Sequence, residues 1–153
     1  MKRSLLLAAA ALLLAIVANT AAQSRPQVGT SGSRAGERVG DLTGNIDHGR
    51  YIAEHVAMCV ECHSGRDEQG TIVDSERFMG AAIPFDAPAW ATTWAIRAPR
   101  NRGLPGYNDQ QALRLLTEGA IGRDGAQLKL PMPRFRMTRQ DAADVIAYLR
   151  SLE

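Results

Sequence analysis

Five consecutive residues, Cys59-Val60-Glu61-Cys62-His63, constrain this chain more than any others. They read C-x-x-C-H, the spacing used to attach a c-type haem covalently. Two thiols on one tight turn can each add to a vinyl group of a porphyrin, making two thioethers. The next residue, His63, then lies under the ring, where an imidazole nitrogen can bind the iron. Cys59 and Cys62 are the chain's only cysteines, so no four-cysteine zinc or iron–sulfur site can be assembled. A redox dithiol, a structural disulfide and half a zinc site remain as competing readings of the pair. A redox dithiol belongs at the start of a helix that follows a strand. Here the preceding segment, Ile46 to Val60, has a helical pattern, so the motif is expected to close a helix.

The N-terminus supplies context. Met1-Lys2-Arg3 is a short positive segment, Leu5 to Ala18 is an unbroken apolar run, and Asn19-Thr20-Ala21-Ala22 offers small residues for cleavage. This is the layout of a secretory signal peptide, residues 1–22, cut after Ala22. The apolar run is short for a membrane span, which needs ~20 residues. An uncleaved anchor is the competing reading. Export implies a periplasmic protein. Loss of Lys2 and Arg3 brings the 18 basic residues level with the 16 acidic ones, a formal charge of zero. Such a balance implies no nucleic-acid partner, and membrane association only if the signal stays. Residues 23–44 are rich in Gly, Ser and Arg and poor in large apolar side chains, which predicts a flexible leader. The folded domain is then 45–153. A domain of that size buries a limited core, and with aromatics at 5% of the chain a buried porphyrin would add apolar bulk.

Asn45 or Asp47 can cap the first helix, with Ile52, Val56 and Val60 on one face. His48 and His55 lie on that helix, on the same side of the attachment point as His63, and a helix rising ~1.5 Å per residue cannot easily double back over the opposite haem face. Both are read as ordinary histidines. Ser64 to Asp86 is a polar, acidic loop that would wrap the haem. Met79, within it, is read as a packing residue. Pro84, Pro88, Pro99 and Pro105 break up the next stretch around Trp90 and Trp94. An indole N–H there can reach a haem propionate or simply pack, and Arg97, Arg100 and Arg102 can pair with propionates or stay solvated. Asn108 or Asp109 caps a helix over 110–118 that Gly119 ends, with Leu113 and Leu116 as its apolar stripe. Thr138 with Asp141 three residues on marks the start of the last helix, Arg139 to about Leu152, with Val145, Leu149 and Leu152 on one face.

Between these helices stands Leu130-Pro131-Met132-Pro133. A thioether is a soft neutral ligand that completes six-coordinate haem iron, and prolines on both sides stiffen the segment presenting it. Met132 is the first choice for the second axial ligand and Met137 its rival.

With these residues in view, the chain resembles the class I c-type cytochromes over Asp47 to Leu152. The resemblance rests on Cys59 to His63, the strap Pro131-Met132-Pro133-Arg134-Phe135, and the terminal Asp144-Val145-Ile146-Ala147-Tyr148-Leu149-Arg150. It implies an all-α bundle of about three to five helices around one covalent haem c, with Gly49 of the first helix set against Tyr148 of the last. Ala98-Pro99-Arg100-Asn101 and the Gly119 to Gly125 region also resemble monohaem cytochromes that serve periplasmic dehydrogenases. The function implied is single-electron transfer through His63/Met132-ligated iron, with no catalysis of its own. A redox donor and acceptor, such as a dehydrogenase or a terminal oxidase, would be its partners. A cytochrome subunit of a dehydrogenase complex and a catalytic or ligand-binding haem protein with an open sixth site are the alternatives. From Arg97 to Arg139 there are nine basic and three acidic residues, which predicts an acidic partner surface on the Met132 side.

Overall fold

The computed structural model describes residues 36–153; the expected signal peptide, 1–22, and the leader as far as 35 lie outside them. Strands β1 (Glu37–Val39) and β2 (Leu42–Gly44) pair antiparallel, with Val39 opposite Leu42. The reversal needs a left-handed residue, and Gly40 supplies it at φ +61°. Residues 37–44, expected as the end of a flexible leader, thus form an ordered hairpin. Val39 is fully buried, the Gly40 amide donates to Asp109 Oδ2 at 2.6 Å, and Gln140 Nε2 donates to the Thr43 carbonyl. These partners come from residues 69 to 97 positions away, so local composition could not reveal them.

Helix α1 (Ile46–Tyr51) starts where expected. The Asn45 side chain accepts from the His48 amide, and Asp47 lies in the positively polarised first turn. The expected continuous helix to Val60 does not form. Residues Ile52–Val56 make a π-helical turn, and Met58 adopts the left-handed conformation at φ 51°. Helix α2 (Cys59–His63) then begins afresh. The extra residue per turn and the break rotate the apolar pattern. Ile52 and Val60 are buried as predicted, whereas Val56 is 59% exposed.

After α2 the chain makes a 3₁₀ turn at Asp74–Glu76 and a two-residue antiparallel clasp, β3 (Ala81–Ala82) with β4 (Arg97–Ala98). Helix α3 (Asp109–Thr117) carries a full capping box, Asn108 with Gln111, and buries Leu113 and Leu116. Helix α4 (Arg139–Arg150) is capped by Thr138, whose Oγ1 accepts from the Asp141 amide. Among the described residues the regular structure is thus predominantly helical, with four α-helices and two small antiparallel pairs that an all-α reading omits. Neither pair carries enough alternating apolar residues to show in sequence. Among the described residues no helix is long and apolar enough to cross a membrane.

Helix α4 is the centre of the core. Every residue from Ala142 to Leu149 is buried, so it is covered all round and not on one stripe. Its alanines admit close neighbours. A Cβ placed on Gly44 would lie 2.5 Å from the Ala143 carbonyl oxygen and 2.6 Å from the Ala147 Cβ. A Cβ on Gly49 would lie 1.9 Å from the Asp144 carbonyl oxygen and 2.9 Å from the Val145 nitrogen. Helices α1 and α4 therefore cross backbone to backbone at Asp144–Val145, one turn before Tyr148. Tyr148 packs edge-on to Phe78, ring centres 5.8 Å apart, and donates its hydroxyl to Glu54. Asp144, buried at the crossing, accepts from the Asn45 amide, Gln140 Nε2 and His48 Nδ1 at 2.7 to 2.8 Å.

Candidate functional site

The break at Met58 sets the geometry of the motif. Starting α2 at Cys59 places Cys59 and Cys62 at i and i+3 on a single turn, and His63 at i+4 from Cys59, all on one side. All three border one cavity of about 580 Å³. Its floor is the α3–α4 core, with Leu115, Leu116, Val145, Ile146 and Leu149 among the lining residues. A volume of this size, bounded mainly by apolar side chains, is that of a site for an organic ligand.

His63 is buried and fixed. Its Nδ1 lies 2.7 Å from the Pro99 carbonyl oxygen, which can only accept, so Nδ1 carries the proton and Nε2 keeps its lone pair. Burial pushes the imidazole pKa down, and the bond to Pro99 partly opposes this. A neutral ring with one nitrogen anchored by a carbonyl is the usual arrangement of a metal-binding histidine. The Gly80 amide donates to the His63 carbonyl, and Ser64 Oγ accepts from the Phe78 amide. These bonds tie the following loop to the motif.

The thiols are free. Burial pushes the Cys59 thiol up to about 11, and burial followed by the Glu61 carboxylate raises Cys62 as well. A redox dithiol needs the opposite, a thiol pKa held low by positive surroundings. Among the described residues the one group of three metal-ligating side chains is His48, Asp141 and Asp144, so the two thiols do not complete a zinc site. The bonds that hold Asp144 at the helix crossing account for that group.

Met132 borders the same cavity as His63, flanked by Pro131 and Pro133, which border it too. Met137 packs against the core, and its amide donates to the Leu116 carbonyl. Met79 is partly exposed and does not border the cavity, and neither do His48 and His55. His48 bonds Asp144, and His55 lies against Tyr51 with ring centres 5.9 Å apart. The fold thus gathers Cys59, Cys62, His63 and Met132 and leaves the rival methionines and histidines outside.

The two tryptophans part company. Trp90 is 72% exposed, while Trp94 meets Phe85 edge-on and has a buried Nε1 with no hydrogen-bond partner among the described residues. Asn101, which borders the cavity, has a buried Oδ1 in the same state. Arg97 and Arg100 border the cavity, whereas Arg102 is committed to the Leu152 carbonyl. An apolar slot lined by two thiols, an imidazole, a thioether and two arginines fits a covalently held porphyrin. Sequence reasoning missed Asn101 and the Pro99 carbonyl. The second is a backbone group, and no residue type signals where a carbonyl will point.

A family model described as Cytochrome c matches residues 48–153. No curated protein matches the chain.

Proposed function

This chain belongs to the cytochrome c family, and we propose that it is a monohaem electron carrier using His63 and Met132 as the axial ligands of its iron. Like the family, it binds haem c covalently, and Cys59 and Cys62 fit the attachment motif. The bound haem supplies a one-electron ferric–ferrous couple. The chain's own residues do the rest. Cys59 and Cys62 hold the group to α2. Pro99 keeps His63 Nδ1 protonated, so that Nε2 is the donor atom. The apolar walls from α3 and α4 exclude water and favour the less charged form of the centre. A neutral thioether at Met132 acts in the same direction. The reading is carried by one observation above all: His63 and Met132 border a single cavity, and the rival ligands Met79, Met137, His48 and His55 do not.

With His63 and Met132 both holding the iron, no position would be left for a substrate, which would make the protein an electron carrier and not a catalyst. Its place of work is the periplasm. The support for this is the sequence of residues 1–22 and the covalent attachment motif. A donor and an acceptor protein complete the path, a dehydrogenase or a terminal oxidase among them. The resemblance of Ala98 to Asn101 to cytochromes of periplasmic dehydrogenases favours, as a second reading, a non-catalytic subunit of such a complex.

The test is a reduced-minus-oxidised optical spectrum of the exported holoprotein, repeated on Met132→Ala. The expected result is a c-type α band and a low-spin ferric spectrum whose methionine–iron charge-transfer band disappears in the variant. A high-spin wild-type spectrum would overturn Met132 ligation and favour an open iron.

A further inference from the structure

We propose that the loop between β3 and β4, together with the cations beside it, is the docking surface for an acidic redox protein. The proposal rests on the electron-transfer reading and adds where the partner binds and in what orientation. The loop, residues 83–96, is closed at its base by the Ala81–Ala98 and Ala82–Arg97 pairs and by the Ile83 amide donating to the Ile96 carbonyl. Beyond that clasp it carries two large apolar side chains that do not border the cavity and that the fold leaves in water, Trp90 at 72% and Ile96 at 81% exposure. Asp86 is its only charged residue. Apolar groups gathered on one segment mark a contact surface more often than isolated ones do, and a rigid aromatic such as Trp90 is the usual anchor of such contacts.

The loop stands at the cavity. Ile83, Phe85 and Ala95 border it, and the Ala95 amide donates to the Leu130 carbonyl at 2.7 Å, which joins the loop to the strap bearing Met132. A partner seated here would face the cofactor site directly. Arg97, Arg100 and Lys129 also border the cavity, and Arg134 is exposed on the strap. Arg134, which does not border the cavity, forms no ion pair among the described residues. Residues 61–77 are of opposite sign, with five acids and two arginines. Both arginines are engaged, Arg66 with Glu61 and Arg77 with Asp74 and Glu54. A negatively charged partner is therefore drawn to one side and repelled from the other, which orients it before contact. Its complementary surface is an apolar recess bordered by carboxylates.

Binding can be read without electron flow. The oxidised, nitrogen-15-labelled holoprotein is titrated with oxidised flavodoxin, used as an acidic redox-protein probe, at low and high salt. Amide shifts are expected at 83–97 and 129–136 and not at 61–77, and they should fade as salt rises. Trp90→Ser and Ile96→Ser, both solvent-facing, should each weaken the dissociation constant by about five- to tenfold, as loss of an interface anchor does. Arg134→Gln should flatten its salt dependence. The wild-type optical spectrum retained in each variant shows that the haem site is intact. Affinity unchanged in both Trp90→Ser and Ile96→Ser would overturn the proposal. So would wild-type dimers that these variants dissolve, or a wild-type affinity for anionic lipid vesicles that they abolish, because a second copy or a bilayer would then be the occupant. Failure of Met132 ligation would show in the optical spectrum and leave this binding result unaffected.

Discussion

The α1–α4 crossing and the cavity wall are built on opposite principles. At the crossing, backbone meets backbone. Gly44 and Gly49 have no room for a Cβ, and Asp144 satisfies three donors from both helices. Two helices and a hairpin are held there by contacts wholly within the protein. The wall around His63 and Met132 is different. Its parts, residues 95–101 and 128–135, have little regular structure, and polar atoms of Trp94 and Asn101 nearby are buried without partners among the described residues. Close packing is the norm for protein interiors, so the crossing is the self-sufficient half of the molecule and the wall is the half completed by haem.

The hardest test of this contrast is Gly49→Ala. Overpacking a filled interior costs about 1–3 kcal/mol, and a rigid carbonyl in the path puts this variant at about 3 kcal/mol. Denaturant unfolding of the holoprotein measures it. A variant as stable as wild type would mean that the helices can slide apart, and the crossing would lose its special status.

Asp144→Ala follows. It strands the Asn45 amide and removes the acceptor of Gln140 and His48, so a loss of about 2 kcal/mol is expected from the unpaired buried donor. The same unfolding experiment reads it. Hydrogen exchange should quicken first at 45–49, where the donors lie.

Met132→Ala separates the two regions. The optical change should be complete, while protection of amides in α1 and α4 falls by less than about 1 kcal/mol, as expected for opening confined to one part of a structure. Exchange at 128–136 should rise the most. A uniform loss across α1 and α4 would show that the two regions form one cooperative unit.

The smallest effect is a pH dependence at the edge of the crossing. The Gly40 amide, then Arg150 Nη1 at 2.7 Å, hold the Asp109 carboxyl below the usual range. A depressed carboxylate stabilises the fold fully above its unfolded value of about 4. That contribution is lost as pH falls through the lower folded value. Asp109→Asn should be less stable than wild type at pH 7, by under about 1 kcal/mol because the group is partly exposed. The gap should close in acid. A gap of constant size from pH 7 to pH 2 would assign the effect to packing and not to charge.

The sequence by itself determined the chemistry. Cys59 and Cys62 were readable as an attachment motif because thiols have few uses and their spacing is local, and the same reasoning singled out His63 beside them and Met132 between its prolines. The caps at Asn45, Asn108 and Thr138 were readable for the same reason, since a cap and its amide lie three residues apart. Tertiary structure alone decided what depends on distant partners. It ordered the hairpin from a Gly-, Ser- and Arg-rich segment, because Val39 and Gly40 find cover and a carboxylate across the chain. It broke the first helix at Met58, which turned Val56 outward and gave the motif its own turn. It also set Gly49 against the backbone of Asp144 and Val145, because where two helices cross is fixed by how closely their backbones can approach, and that is a property of the pair.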